Sequence, residues 1–403
     1  MNQTDFSDLL DEELRGELEC VRAALFLEGP ASQQRVVVAM SGGVDSSVTA
    51  VLLKYLGYDV VGITLQLYDH GEAVKKPGAC CAGVDIRDAR AICAAHDIPH
   101  YVLDYESRFS NEVMEQFADS YLKGETPVPC ILCNQEIKFN HMLEAARKLG
   151  GVVMATGHYV QNRPVMAPGS STKTWQLHSA IDDSRDQSYF LFATSKPELE
   201  LLRFPLGGLR KTSVRRLALA FGLTVADKPD SQDICFVPDG KYGEIIERLR
   251  PGAVRPGDIV HVDGRVLGRH DGIIHYTIGQ RRGLKVALGE PLFVIKLDAR
   301  HNTVLVGPRE ALLVNLIALR DVNWLGDLPL AELPDDGYDL RVRIRSTRTP
   351  APARLFIDKG QVFVTLDKGD FGVSPGQACV FYEQSPASSR VLGGGWISSA
   401  SLS

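Results

Sequence analysis

The stretch VVVAMSGGVDSSVTAVLLKYLG, Val36 to Gly57, constrains the fold more than any other part of the chain. Val36 to Met40 form an apolar run of strand length, and Val48, Val51, Leu52, Tyr55 and Leu56 recur at helical spacing. The polar residues Ser41 to Ser47 therefore lie at a strand-to-helix turn. The first turn of a helix carries backbone N–H groups without intrahelical partners at the positive end of the macrodipole, and Gly42 and Gly43 let a ligand approach the chain closely. Ser41, Ser46 and Ser47 add hydroxyl donors. A Walker loop places a lysine after its second glycine to reach terminal phosphates, whereas Val44 and Asp45 stand here. The pattern suits a pyrophosphate group bound without that lysine, with Asp45 placed to hold magnesium.

Strand and helix alternate after this turn. Asp59 to Leu65, Pro99 to Asp104 and Gly151 to Thr156 read as strands, with helices near Val84–His96, Ser107–Tyr121 and Gln135–Leu149. Such alternation predicts a parallel sheet covered on both faces, with ligands at the carboxyl ends of its strands. At 403 residues the chain is too long for one ordinary core. Leu9, Leu10, Leu14, Leu18 and Val21, set among acids, predict an amphipathic helix within residues 1–34, read as an appendage outside the catalytic core. After Val237, glycines and prolines punctuate short strand-like pieces. From Leu313 the segments DLRVRIR, VFVTLD and GQACVFYE alternate as strands of a compact β-barrel. The expected divisions are an extension, 1–34; a catalytic domain, 35–236; a central domain, 237–312; a barrel, 313–396; and a tail, 397–403. The serine-rich end, Ser385 to Ser403, is expected to fray.

The amino terminus is polar and acidic, without the pattern of a signal peptide, and no apolar run is long enough to span a bilayer, so a cytoplasmic location without membrane contact is expected. A net charge of −6 argues against general nucleic-acid coating. Two acid-free basic runs stand out all the same: Arg203, Arg210, Lys211, Arg215 and Arg216, then Arg341, Arg343, Arg345, Arg348 and Arg354. Solvated faces and phosphate-backbone contacts explain them equally well. Eight dispersed cysteines in a chain of this length read as thiols. In TPVPCILCNQEIKF, Pro127 and Pro129 predict an extended loop, and Cys130 and Cys133 lie just before a helix starting near Asn134. A thiol at a helix amino terminus is a better nucleophile and metal ligand. A redox pair, half of a zinc site and a chance pair all remain open for it. No second pair with zinc spacing lies nearby, and adjacent Cys80 and Cys81 are poorly arranged to share one metal. Cys235, in DKPDSQDICFVPDG, follows a polar loop at the expected domain boundary. Cys20, Cys93 and Cys379 read as small core residues.

SGGVDSS after a strand, TPVPCILCNQEIKF, ATGHYV, DQSYFL, the segment around Cys235, HYTIGQRRGL and SPGQACVFY occur in the order seen in tRNA-specific 2-thiouridylases. The chain resembles that family from Arg35 to about Glu383. The resemblance implies an α/β fold in which a parallel-sheet, Rossmann-like ATP-pyrophosphatase domain precedes a small central domain and a C-terminal β-barrel. It implies a sulfurtransferase that uses ATP and Mg2+ to adenylate the 2-oxygen of the wobble uridine in the tRNAs for lysine, glutamate and glutamine, after which sulfur displaces AMP. The implied partners are the anticodon stem-loop and a cysteine desulfurase or sulfur-relay protein that donates a persulfide.

By position, the resemblance makes Cys235 the persulfide carrier and Cys133 the thiol that forms a disulfide with it as sulfur is delivered. Ala39, Met40, Ser41, Gly42, Gly43, Val44, Asp45, Ser46, Leu65 and Gly157 match ATP contacts. Val128, Pro129, Cys130, His158, Arg185, Asp186, Gln187, Arg345, Ser346 and Gln377 match tRNA-contacting positions. The chain departs from the family at Ser346, where a tyrosine is usual, and at Cys130, where many members carry aspartate. Cys130, Cys133 and Cys235 are together the ligand set of an alternative, an iron-sulfur cluster that carries the sulfur; the persulfide route needs no metal. Small-molecule ligases with the same turn, such as GMP or argininosuccinate synthetases, would not need these cysteines. A non-catalytic nucleotide and RNA sensor would not need them either.

Overall fold

Val36, Val37 and Val38 are all fully buried, which a strand achieves only when both of its faces are covered. They belong to β1 (Arg35–Ala39), the middle strand of a five-stranded parallel sheet that it forms with β2 (Asp59–Gln66), β3 (His100–Asp104), β4 (Val153–Ala155) and a two-residue β7 (Leu202–Arg203). The order is β3-β2-β1-β4-β7. Val36 pairs with Val60 on one side and Val153 on the other. An antiparallel hairpin, β5 (Val160–Met166) with β6 (Lys173–Ser179), follows β4. The computed structural model describes residues 11–68, 81–166, 173–230, 234–237, 240–286 and 288–402. Leu9, Leu10 and Cys80 lie outside them.

The chain divides into two compact units. One comprises residues 1–110, 133–232 and 389–391 and contains the parallel sheet. Its helices include α1 (Glu12–Ala23), α2 (Val44–Tyr55), α3 (Cys81–Ala95) and α4 (Lys211–Ala220). The amphipathic stripe predicted near the amino terminus exists, but the helix is no appendage. Leu14, Leu18, Val21 and Leu25 are buried in the same apolar cluster as Val48 and Val51 of α2 and Val214 and Leu217 of α4. Asp11 caps α1 by accepting from the Leu14 N–H at 2.9 Å, and Arg216 of α4 pairs with Asp11 and Glu13 at 2.5 and 2.6 Å. A hydrophobic face joined to a polar clasp makes α1 part of this core.

The other unit comprises residues 111–132, 233–388 and 392–403. Here β8 (Gly257–His261), β9 (Val266–His270), β10 (Phe293–Asp298) and β11 (Thr303–Gly307) form a sheet of order β10-β11-β8-β9. The expected barrel closes through β12 (Leu313–Trp324), β13 (Tyr338–Arg343), β14 (Ala351–Asp358), β15 (Gln361–Phe371), β16 (Ala378–Tyr382) and β17 (Val391–Ser401). The expectation of a frayed carboxyl end is corrected by β17. Ile317 and Leu316 of β12 pair with Ala400 and Ser401, so this strand closes the barrel almost to the terminus. Closure removes an exposed sheet edge, which explains why even a serine-rich segment is ordered there.

Candidate functional site

β1 ends at Ala39 and α2 begins at Val44, so Met40 to Gly43 form the turn foreseen between them. Its hydroxyls organise the backbone: Ser46 Oγ accepts from the Ser41 N–H at 3.1 Å, lies 3.1 Å from Ser41 Oγ, and donates to the Gly43 carbonyl at 3.3 Å. Ser47 Oγ donates to the same carbonyl at 2.8 Å. The first-turn N–H groups of α2 have no partners within the helix, the arrangement with which a helix amino terminus can receive an anion. Gly42 has φ +73°, and a Cβ there would lie 2.2 Å from the carbonyl oxygen of Asp85 on α3. At the end of β4, a Cβ on Gly157 would lie 2.8 Å from Asp45 C and Ser46 N. Both glycines let neighbouring backbone pack directly on the turn.

Side chains distant in sequence complete the site. Lys211, the first residue of α4, donates to both oxygens of Asp45 at 2.7 and 2.8 Å and pairs with Asp230 at 2.8 Å. Its side chain is only 8% exposed. Tyr159 donates its hydroxyl to Asp45 Oδ1 at 2.8 Å. Burial, then the charge of Asp45, pushes the Tyr159 pKa upward, so the phenol stays protonated. Asp230 also accepts from Arg185 at 2.8 Å and Arg215 at 3.3 Å. Burial opposes the Asp230 carboxylate, but Lys211 and the two arginines outweigh it and hold its pKa below the usual range. On the other side of the turn, Lys228 donates to the Gly42 carbonyl at 2.9 Å while paired with Asp85 and Asp88 at 2.7 and 2.8 Å. Burial opposes the Lys228 ammonium, and the two aspartates raise its pKa in spite of that.

Ala39 to Ser46 and Gly157 are thus brought together, and Leu65 lies on β2 beside them in the sheet. His158 follows Gly157 and is half-buried, with the rings of Phe139 and Phe204 edge-on at 6.0 and 6.4 Å. Burial, reinforced by Lys138, pushes its pKa down to about 3; its Nδ1 lies 2.8 Å from Thr156 Oγ1. Arg185, Asp186 and Gln187 are engaged within their own unit. Arg185 pairs with Asp230, and Asp186 accepts from the Ser188 hydroxyl at 2.7 Å and the Ala180 N–H at 3.1 Å. Gln187 accepts from the Tyr159 N–H at 2.8 Å.

Cys133 is buried at the start of a π-helical run, Cys133–Met142, in which Asn134 donates to the Phe190 carbonyl at 3.1 Å. The helix forecast near Asn134 begins earlier, because Pro129 opens a short helix, Pro129–Leu132, at a position where its missing N–H costs nothing. Val128 is half-buried, Pro129 buried and Cys130 exposed in the other unit. There Gln377 donates to the Thr126 carbonyl at 2.7 Å and the Thr126 N–H donates to the Pro375 carbonyl at 2.8 Å, fixing the segment that leads to Cys130. Arg345 donates to the carbonyls of Phe371 and Gly372, and Ser346 is exposed. Cys235 is exposed and precedes buried Phe236. Among the described residues, no three His, Cys, Asp or Glu side chains are grouped to hold a metal ion. Cys93 and Cys379 are buried as expected, whereas Cys20 is exposed on α1.

In the first basic run Arg210 is exposed, whereas the other four side chains have partners within their own unit. Arg203 is buried, donates to the Leu25 carbonyl at 2.6 Å and lies 3.8 Å over the Trp175 ring; burial lowers its pKa to about 10. Lys211, Arg215 and Arg216 are spent on carboxylates. In the second run Arg354 pairs with Asp339 at 2.8 Å and Arg348 approaches Asp370 at 3.8 Å, both from the barrel surface. The site residues that local reading missed are Tyr159, Lys211, Lys228 and Asp230. Three of them stand inside the motifs ATGHYV and DKPDSQDICF, which already marked their segments. A cavity of about 830 Å3 in the second unit, lined by Tyr121, Tyr242, Glu247 and His275, contains none of the expected site residues.

Three family models match the chain: a tRNA methyl transferase HUP domain over residues 34–239, a tRNA methyl transferase PRC-barrel domain over 246–308, and an aminomethyltransferase β-barrel domain over 314–397. The chain is 61% identical to the tRNA-specific 2-thiouridylase MnmA of Maricaulis maris over 377 residues, 94% of this chain and 90% of that protein. It is 60% identical to the protein of that name from Rhodopseudomonas palustris, covering 94% of both chains. With the Brucella canis protein it shares 58% identity over 93% of this chain and 92% of the other.

Proposed function

Because this chain belongs to the tRNA-specific 2-thiouridylase family, we propose that it catalyses ATP-dependent 2-thiolation of the wobble uridine in the tRNAs for lysine, glutamate and glutamine. The observation that carries the nucleotide half of this reading is the turn at Ser41–Ser46, braced by Gly157 and by two lysines. A carbonyl oxygen of uracil is a very poor leaving group. Attack of that oxygen on the α-phosphorus of ATP makes it part of an AMP ester and releases pyrophosphate, and the turn binds the departing anion. Magnesium takes oxygen ligands, usually one or two carboxylates with phosphate oxygens, and Asp45 is the carboxylate the turn offers. When bound, the ion neutralises phosphate charge.

Cys235 carries the sulfur as a persulfide received from a cysteine desulfurase or a relay protein. The terminal sulfur attacks C2 of the activated uridine and AMP leaves with the former carbonyl oxygen. The Cys133 thiolate then attacks the inner sulfur at Cys235, the S–S bond to the nucleoside breaks, and the 2-thiocarbonyl is released as a Cys133–Cys235 disulfide forms. A thiol reductant resets the pair. Extrusion of the uridine from the anticodon stack gives the reaction access to C2. Val128, Pro129, Cys130, His158, Arg185 to Gln187, Arg345, Ser346 and Gln377 are the proposed tRNA-facing positions, and the cytoplasm is the proposed location.

The test is thiolation of the unmodified tRNAs by the purified chain with ATP and a persulfide donor, read by mobility on mercury-containing gels, with AMP counted in parallel. One thiolated nucleoside per AMP, retained in full after iron chelation, is the expected result. ATP and tRNA binding without thiolated product would make the chain a sensor instead.

A further inference from the structure

We propose that α1 is a positioning element of the nucleotide site, holding both the start of α4 and the end of β4 against the turn at Ser41–Ser46. This rests on the reading of that turn as the ATP site and adds to it a helix that precedes the segment, residues 34–239, matching the HUP domain. One end of α1 fixes α4. Asp11 and Glu13 pair with Arg216 at 2.5 and 2.6 Å, and Glu17 hydrogen-bonds Ser213 in the first turn of α4. Leu14, Leu18 and Val21 are buried in the apolar cluster that holds Val48 and Val51 of α2 with Val214 and Leu217 of α4. Lys211, at the start of that same helix, meets Asp45. The other end fixes the sheet. The Leu25 carbonyl accepts from Arg203 Nε at 2.6 Å, and the Arg203 carbonyl accepts from the Thr156 N–H at 3.0 Å. Thr156 leads into Gly157, whose backbone lies so close to Asp45 and Ser46 that a Cβ would stand 2.8 Å away. Trp175 joins these contacts, with the Arg203 guanidinium 3.8 Å over its ring and Phe26 edge-on at 5.7 Å. Were α1 to leave, the buried Arg203 guanidinium would lose an acceptor and apolar side chains of α1, α2 and α4 would meet water, so docking of α1 and assembly of the turn's surroundings are coupled. A ligand that binds the assembled turn more tightly then favours docked α1, and docked α1 favours the ligand by the same factor.

Hydrogen exchange of the full chain, read by mass spectrometry with and without saturating ATP, tests the coupling in the unaltered protein. ATP is expected to slow exchange of the Glu12–Ala23 amides by about threefold or more, together with those of the turn. Arg216→Glu, which replaces two ion pairs by repulsion from Asp11 and Glu13, is expected to weaken ATP by about threefold or more in calorimetric titration at unchanged stoichiometry. Glu13→Lys in the same chain is expected to restore most of the affinity. The stoichiometry separates the two roles, because a purely structural clasp changes the fraction of chains able to bind and leaves the affinity of the rest as it was. ATP binding with unaltered α1 exchange, Arg216→Glu with unaltered affinity, or a double variant no better than Arg216→Glu alone overturns the assignment and leaves the nucleotide reading standing. A wild-type chain that binds no ATP overturns both.

Discussion

Replacing Gly42 by alanine tests whether the turn is built on backbone contact. Two costs combine at this position. The residue has φ +73°, a left-handed conformation that costs an L-residue about 1–2 kcal/mol. The added Cβ would lie 2.2 Å from the Asp85 carbonyl oxygen and 2.6 Å from its carbon, so α3 or the turn must move, and overpacking of this kind costs about 1–3 kcal/mol. Together they predict a loss of roughly 2–5 kcal/mol. The adjacent Gly43 supplies the control. Its Cβ would meet only Ser41 Oγ at 3.5 Å, and its φ of −91° is open to any residue. Gly43→Ala should therefore cost about 1 kcal/mol or less, the difference between glycine and alanine at an N-cap. Urea unfolding of both variants followed by fluorescence gives the comparison, and ATP titration of each shows whether the displaced turn still binds. Equal midpoints for Gly42→Ala and Gly43→Ala would refute the close-packed turn.

Cys133→Ser and Cys235→Ser should each abolish thiolated product in the mercury-gel assay while leaving ATP affinity within about twofold; product from the double variant would exclude both thiols from the reaction. Leu18→Ala, which empties a buried position of α1, should destabilise the chain by about 2–5 kcal/mol in urea unfolding, and a loss below about 0.5 kcal/mol would return α1 to an appendage. Burial lowers the pKa of His158 to about 3 and of His178 to about 4. The unfolded chain takes up these protons first as pH falls below about 6.5, so the stability both neutral rings confer is complete above that pH and is lost progressively toward pH 4 and 3. His158→Gln should flatten the decline of the unfolding midpoint between pH 6 and pH 4; an unchanged slope would mean that the ring is protonated in the folded chain.

The turn and its strand were legible because periodicity changes there within a few residues, from the unbroken run Val36–Met40 to helical spacing after Val44, and a polar insert between such segments has only one place to go. The barrel was legible from alternation, but its last strand was not. Leu392 and Ile397 are buried in the barrel core from a strand interrupted by Gly393–Gly395 and ended by serines, so composition suggested a loose end where closure supplied the partner. The basic run Arg203–Arg216 shows the limit most clearly. Local sequence displays the charges of Arg203, Lys211, Arg215 and Arg216 but not the carbonyls and carboxylates that meet them, and burial is what separates a phosphate-binding surface from an internal clasp. The absent Walker lysine was likewise a statement about one window of sequence. Lys211 reaches Asp45 across 166 positions, so the ammonium paired with Asp45 is set by the packing of α4 against α2 and not by adjacency to the glycines. A motif read by spacing alone can therefore locate the backbone turn, while the charges packed around that turn belong to the tertiary fold.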